Sequence, residues 1–444
     1  MPPFGPARRA RAPFALLVLP TAGALAACGK DPVVPPPPPP PPASVVYDSA
    51  TVAGSIARSS YTDTLLEWEN FVFFWRDRVD WPRQQAAVRA QVAAATTHGG
   101  LWRAAEGSID PWLVEAPPEG QDLHSAFFSP DIAPGLVDSP NQPRFQVVGD
   151  ALTRTLAAGP GRVAYLWFPN YSGRNATGRV DSTQAVIRAL DQSAPCGWVL
   201  DQRFNYGGDI AAMMSGLSPL IGDAPASATQ NGLGGFVFSD SSRGILYLQN
   251  GQLGTYDPSD GRRYPYSVRP TQPYQLQRPN SPVAILLSPI TASAGELITI
   301  AFRGSAVPHR SFGANTLGLT TGPVGIYLRP DSGYLNITAS VMFDRLGRQY
   351  GSVLTPDEPV AGPSWRDLRP ATVISNGDPV LTAAVQWLQA QPACTGAPVA
   401  SRAPDLSRQA AAVKLPGQAK PNDFVRRVSR YFMPRGGERA LGGR

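Results

Sequence analysis

The sequence predicts an α/β fold on a substantially parallel sheet, preceded by a small helical region. Two observations carry this. Three short runs, "RVAYLWFP" (162–169), "GWVLDQR" (197–203) and "SPVAILLS" (281–288), have the length and continuous apolarity of strands buried on both faces. Each is followed by a helical pattern: "DSTQAVIRALDQS", "DIAAMMSGLSPLIG" and "SAGELITIAF". Strands alternating with helices require crossover connections, hence parallel neighbours covered by helices.

The elements follow in chain order. Residues 1–27 combine an arginine-bearing start, a short apolar stretch and small residues, the pattern of a secretory signal. It ends in "LAAC", which resembles a bacterial lipobox and makes Cys28 the expected lipidated first mature residue; the alternative is a chance cysteine after a plain signal. Residues 28–44 contain "PPPPPPPP", an extended polyproline tether that would hold the folded part clear of a membrane. Residues 45–118 carry helical spacing of apolar residues around several tryptophans, interrupted at Pro82. The α/β domain is expected over 119–394. Within it, 224–280 is rich in Gly, Pro and Ser, with two strand candidates, "GGFVFSD" and "GILYLQN", expected as a hairpin-bearing excursion. Late strands "GPVGIYLR" and "GYLNITASVMF" and a closing helix "DPVLTAAVQWLQAQ" complete it. Residues 395–444 form a basic tail.

Charge and cysteine content narrow the function. Of the net +6, the tail contributes +7 and the signal +3, which leaves −4 for residues 28–394. The folded body is therefore mildly acidic, and nucleic acid is not an expected partner. Outside the cytoplasm, Cys196 and Cys394 can form a disulfide; two buried thiols are the alternative. Three scattered histidines without metal-ligand spacing argue against a zinc site, and no nucleotide fingerprint is present, so no cofactor or metal is expected.

Two stretches carry chemistry. In "PITASAGELITIAF", Ser293 stands where a strand has ended and a helix begins, so it is either a helix cap or a nucleophile. In "LDQRFNYGGDI", Gly207 and Gly208 form a strand–helix turn whose backbone N–H groups can face a cavity, as an oxyanion hole requires. These stretches, with "FGANTLGLTTG" and "GSVLTPDEPV" after them, resemble the ordered signatures of the tail-specific, or carboxy-terminal processing, serine peptidases. That family includes the tricorn core and the interphotoreceptor retinoid-binding modules. The resemblance spans about 120–390. It implies a ClpP/crotonase-like α/β fold, a polypeptide substrate and Ser293 as nucleophile, with Ala294 and Gly207 or Gly208 supplying oxyanion donors.

The base departs from the family's best-known branch, which places a lysine about 25 residues after the serine. The only lysines here are Lys30, Lys414 and Lys420, all outside the folded body. Arginine stays protonated and cannot substitute. Among the histidines, His124 in "QDLHSAFFSP" resembles the D-x-H-S/T segment of branches that use histidine, which makes it the expected base, with His309 second. Neutral imidazole suits proton transfer from a serine. Glu296 has two readings: an acid that polarises the site, or the fourth residue of an S-x-x-E capping box. Asp122, Asp344 and Asp357 are further candidates for the acidic member. Fewer than forty residues separate His124 from the strand at Arg162, too few for the PDZ domain that reads a free C-terminus. The expectation is a serine endopeptidase held to the bacterial envelope by a lipid anchor. The rival is a degenerate, tethered module that binds peptides or apolar ligands without cleaving them.

Overall fold

The structure, a computed structural model, describes residues 65–363 and 377–396 apart from 96–97, 110–111, 118–121, 129–152, 156–161, 172–174 and 329–332. The signal, Cys28 and tether expected over 1–44, and the tail from 397 onward, lie outside the described residues. No helix among the described residues is long and apolar enough to cross a membrane.

The helical region comprises α1 (65–72), α2 (Trp81–Ala94) and α3 (His98–Ile109). Pro82 begins a helix rather than breaking one. It occupies the first turn of α2, where a missing N–H costs nothing, and the Asp80 carboxylate caps the turn from Arg83 N–H. Leu65, Val88, Leu101 and Ala105 pack the three helices together. A buried polar contact adds to them: Glu69 on α1 accepts from Gln84 Nε2 (2.6 Å) and from the Ser108 hydroxyl.

After this region come β1 (Ala126–Phe128), β2 (Thr153–Thr155), β3 (Val163–Trp167), α4 (Ala176–Asp191), β4 (Gly197–Asp201), α5 (Ile210–Gly216) and α6 (Ser218–Ile221). The excursion supplies β5 (Ala226–Ser227), β6 (Gln230–Asn231), β7 (Gly235–Phe238), β8 (Arg243–Gln249), β9 (Gln252–Asp257) and β10 (Arg262–Pro265). The chain continues as β11 (Val283–Leu287), α7 (Ala294–Phe302), β12 (His309–Gly313), β13 (Thr321–Leu328), β14 (Gly333–Phe343), β15 (Glu358–Pro359), α8 (Pro379–Gln389) and α9 (Pro392–Thr395).

The core sheet has the order β15-β12-β11-β4-β3-β2, parallel throughout except for β2 at one edge. Its central strands divide their side chains by the two-residue period of a strand. Ala164, Leu166, Trp198, Leu200, Val283, Ile285 and Leu287 join one core with α4, α5 and α7. Val163, Tyr165, Val199, Ala284 and Leu286 join a second core with Val380, Leu381, Ala384 and Leu388 of α8. Cys196 and Cys394 form a disulfide that pins the end of the domain to the start of β4. A buried ionic knot closes the same side. Arg203 binds Asp201 (2.7 Å) and Asp378 (2.6 Å), and Tyr165 Oη donates to Asp201 (2.7 Å). Asp378 is also the N-cap of α8, so this knot fixes where that helix begins.

The excursion is larger than expected. Its strands join the late ones in a second, antiparallel sheet of order β1-β14-β7-β8-β9-β10, with β13 also paired to β14. Asn250 and Gly251, at φ 50° and 73°, make the two-residue turn between β8 and β9. Both central residues at positive φ match the right-handed strand twist, which explains a tight hairpin at "QNGQ". This sheet carries β1, and β1 carries His124 towards the core.

Candidate active site

The carboxyl edge of the core sheet is built from two turns laced together. One runs 202–209 after β4, the other 288–295 after β11. Asn205 is the pillar between them. Its carbonyl accepts from Ala292 N–H (2.9 Å), its Nδ2 donates to Gln202 Oε1 (3.1 Å), and its Oδ1 accepts from Gly207 N–H (3.0 Å). Gln202 reaches Thr299 on α7 (3.1 Å), and Ser288 Oγ donates to the Arg203 carbonyl (2.6 Å). The partners are buried, and the Ala292–Asn205 and Ser288–Arg203 bonds cross between the turns, so those groups need the other turn to be satisfied.

Ser293 sits at the junction, half-buried, at φ 51° and ψ −117°. A residue with a side chain rarely adopts this backbone, and it persists only where its surroundings over-determine it. They do so from two sides. A β-carbon built on Gly207 would stand 2.7 Å from Ser293 Cβ, so only glycine admits this approach. On the other side Glu296 Oε2 accepts the Ser293 N–H at 2.7 Å. That is the carboxylate half of a capping box. The reciprocal half is present as well, with the Ser293 side chain facing the Glu296 backbone N–H, although the contact falls short of a full cap hydrogen bond. The stronger half of the cap is the acid's.

Glu296 is fully buried and holds more than the serine. Its Oε1 accepts from the Thr316 hydroxyl and from Gly318 N–H (3.0 Å). Burial pushes its pKa up to about 7, partly offset by these donors. Gly207 N–H is taken up by Asn205, whereas Gly208 and Ala294 have no backbone N–H partner among the described residues. Gly208 is exposed and Ala294 opens α7, so the two free donors flank the serine turn.

His124 arrives from the other sheet. Asp122 accepts from His124 N–H (3.0 Å), Ser125 Oγ (2.5 Å) and Thr338 Oγ1 (2.9 Å), while Asn336 Nδ2 donates to the His124 carbonyl (2.7 Å). These bonds fix the backbone of 122–125 against β14, and they occupy the Asp122 carboxylate. The imidazole itself meets Thr321: Nδ1 lies 2.7 Å from Thr321 Oγ1, and the Thr321 backbone acts on the ring as well. Burial lowers the His124 pKa to about 4, which keeps the ring neutral. No hydrogen bond joins the imidazole and the Ser293 hydroxyl directly among the described residues. The segment 316–321 connects their surroundings, with one end on Glu296 and the other on His124.

The remaining candidates stand elsewhere. His309 pairs with Val283 at the amino-terminal start of β12, and its Nδ1 contacts the Val307 carbonyl (2.8 Å). Ser293 follows the opposite end of the adjacent strand, four residues or about 13 Å of strand away. Asp357 accepts from Ser311 N–H and Oγ (2.8 and 2.7 Å), and Asp344 from Tyr350 Oη (2.8 Å) and turn N–H groups. None of these groups reaches the His124 ring. Sequence reasoning missed Thr321 and Asn205; the asparagine between "LDQR" and "GG" was the available signal for the latter. No group of three or more His, Cys, Asp or Glu among the described residues could hold a metal ion.

A serine on a strained strand–helix turn, paired glycines across from it and a neutral histidine on the second sheet are residue types that a serine hydrolase uses. Residues 162–360, a little under half of the chain, match Peptidase family S41. The chain is similar to the nisin-resistance protein of Lactococcus lactis subsp. lactis, 28% identical over 199 residues, which covers 44% of this chain and 56% of that one. The chain thus aligns with little more than half the length of this curated relative. In fold it is similar to a lipoprotein from Streptococcus agalactiae, with a TM-score of 0.51, 16% identity, and coverage of 75% of this chain and 96% of that one.

Proposed function

We propose that the chain is a serine-type endopeptidase of the bacterial cell envelope that cleaves polypeptides by acyl transfer to water. Ser293 Oγ attacks the peptide carbonyl while His124 Nε2 accepts its proton and later passes it to the leaving amine. The tetrahedral oxyanion lies against the N–H groups of Ala294 and Gly208, at the positive end of α7. Water then hydrolyses the acyl-enzyme, with His124 again as base. The observation that carries this reading is Ser293 at φ 51°, its N–H held by Glu296, against a glycine that no other residue can replace. The envelope location rests on the signal-like start, the "LAAC" motif and the polyproline run.

The test is covalent labelling by a fluorophosphonate probe, followed by peptide mapping. Wild-type protein is expected to label at Ser293, and Ser293→Ala or His124→Ala to reduce the rate by roughly 10³-fold or more. Folded wild-type protein that never labels would replace the peptidase with the binding-module reading.

A further inference from the structure

The imidazole of His124 has no carboxylate to orient it among the described residues. Asp122 is two residues away, yet its oxygens are taken up by the His124 and Ser125 backbone and by the Ser125 and Thr338 hydroxyls. Glu296, across the 316–321 segment, holds Ser293, Thr316 and Gly318. Asp344 and Asp357 serve their own turns. What touches the ring is the Thr321 hydroxyl, 2.7 Å from Nδ1. A base needs Nε2 unprotonated, which puts the proton on Nδ1 and makes Nδ1–H donate to Thr321 Oγ1.

We infer that Thr321 is the positioning residue of the site: its hydroxyl holds His124 in the Nδ1–H tautomer, in place of the acid of a Ser–His–acid triad. This rests on Ser293 and His124 acting as proposed above. The role suits the segment that carries the threonine. Thr316 and Gly318 bind Glu296, which binds Ser293 N–H, and three residues later Thr321 binds the imidazole. Thr320 Oγ1 donates to the Ser352 carbonyl (2.6 Å), and the Thr320 carbonyl accepts from Met342 N–H, so the end that meets the histidine is anchored to two neighbouring strands and loops. One short stretch therefore sets nucleophile and base relative to each other. A neutral acceptor orients the ring without adding a negative charge beside it. The group is consistent with the lowered pKa of His124, for which only burial and Thr321 act on the ring.

The experiment measures the fluorophosphonate labelling rate of full-length wild type, Thr321→Val, Thr321→Ser and Thr321→Asp across pH 4–9, with thermal unfolding as a fold check. Valine keeps the shape and removes the acceptor, so labelling is expected to slow about ten-fold, the weight of one hydrogen bond, with an unchanged melting profile. Serine restores the rate. Aspartate raises the imidazole pKa and moves the acid limb of the rate profile upward from its wild-type position near pH 4 by at least one unit. A valine variant as fast as wild type, or an aspartate variant with an unshifted acid limb, overturns the role of Thr321 while leaving Ser293 and His124 in place. Wild type that never labels removes the reading on which it rests. A serine variant as slow as valine, with both folded, assigns Thr321 to packing alone and also overturns the proposal.

Discussion

Two helices leave the carboxyl edge of the core sheet, and they begin in different ways. At α5, Asp209 sits at φ −70° and ψ 101°, and its carboxylate caps Ala211 N–H (2.9 Å) and Ala212 N–H (3.0 Å). This is an unstrained joint in which the first side chain satisfies the first orphan donors. At α7 the first side chain faces the Glu296 N–H in a capping box but makes no full cap hydrogen bond, and the acid's half of the box is the stronger. Ser293 is forced to φ 51°, and the buried Glu296 three residues on takes its N–H. Such a backbone costs roughly 1–3 kcal/mol, and here the lacing through Asn205, Gly207 and Glu296 offsets it. The difference locates the chemistry. On the proposed function, a helix start that needs only stability relies on its own side chain, whereas one that carries a nucleophile leans on a neighbour's carboxylate and tolerates strain.

The sharpest way to break this comparison is to remove the neighbour. Glu296→Ala deprives Ser293 N–H, Thr316 Oγ1 and Gly318 N–H of their acceptor at once. Buried donors without partners cost about 1–3 kcal/mol each before relaxation, so a loss of about 3 kcal/mol in urea unfolding is expected. With the anchor gone, the 316–321 segment and the serine turn lose their common support. Labelling of Ser293 should then slow by roughly 100-fold even at temperatures where the variant is folded. A variant that labels at the wild-type rate would show that Glu296 is a cap and nothing more.

Burial raises three carboxylates among the described residues, Glu69, Asp122 and Glu296, and two of them sharpen the comparison through pH. Glu296 rises to about 7 and Glu69 to about 8, both by burial, from an ordinary value of 4.5. In each case the folded state keeps a proton that the unfolded chain releases. The unfolded state therefore binds fewer protons between pH 4.5 and 8, and stability falls as pH rises across that window. It is greatest with respect to these groups below pH 4.5. Glu69 sits among helices far from any strained turn, bonded only to Gln84 and Ser108, so Glu69→Gln should flatten the upper part of the slope and raise the melting temperature at pH 8. Labelling should not change. A steep slope that survives in Glu69→Gln would assign it to Glu296 or Asp122, the raised carboxylates that hold the Ser293 N–H and the His124 N–H.

How far the sequence displays this arrangement depends on the range over which each interaction acts. The parallel core was legible because strands buried on both faces must be continuously apolar, as "VAYLW", "GWVLD" and "VAILL" are. The Gly207–Gly208 turn was legible because its backbone demands glycine, and Ser293 because its stretch resembles a peptidase signature, not because its backbone calls for serine. The S-x-x-E pattern announced the capping box at Ser293 and Glu296, but not that Glu296 would also bind Thr316 and Gly318. Thr321 was not legible. Its partner lies 197 residues away, and a hydroxyl serving as acceptor has no periodicity or flanking pattern to betray it. The second sheet was only half visible for a related reason. β14 pairs with β1 and β7, both far away along the chain, and pairings of such sequence separation leave no trace in local alternation.

The smallest expected effect tests the other side of the comparison. If α5 is a joint held only for stability, then Asp209→Ala should cost about 1 kcal/mol, the ordinary weight of an N-cap. The prediction is discriminating because Asp209 lies beside the site. Its N–H donates to the Tyr171 carbonyl (2.7 Å), and Gly208, with its free N–H, immediately precedes it. The backbone bond survives the substitution, and the two uncapped N–H groups of Ala211 and Ala212 can turn to water at a part-buried helix start. Urea unfolding should therefore report the small loss while the fluorophosphonate rate stays within two-fold of wild type, on the order of the error in such a comparison. A large fall in rate with little loss of stability would mean that the Asp209 cap also aims the Gly208 N–H. The oxyanion turn would then depend on an ordinary cap as strongly as the serine turn depends on Glu296.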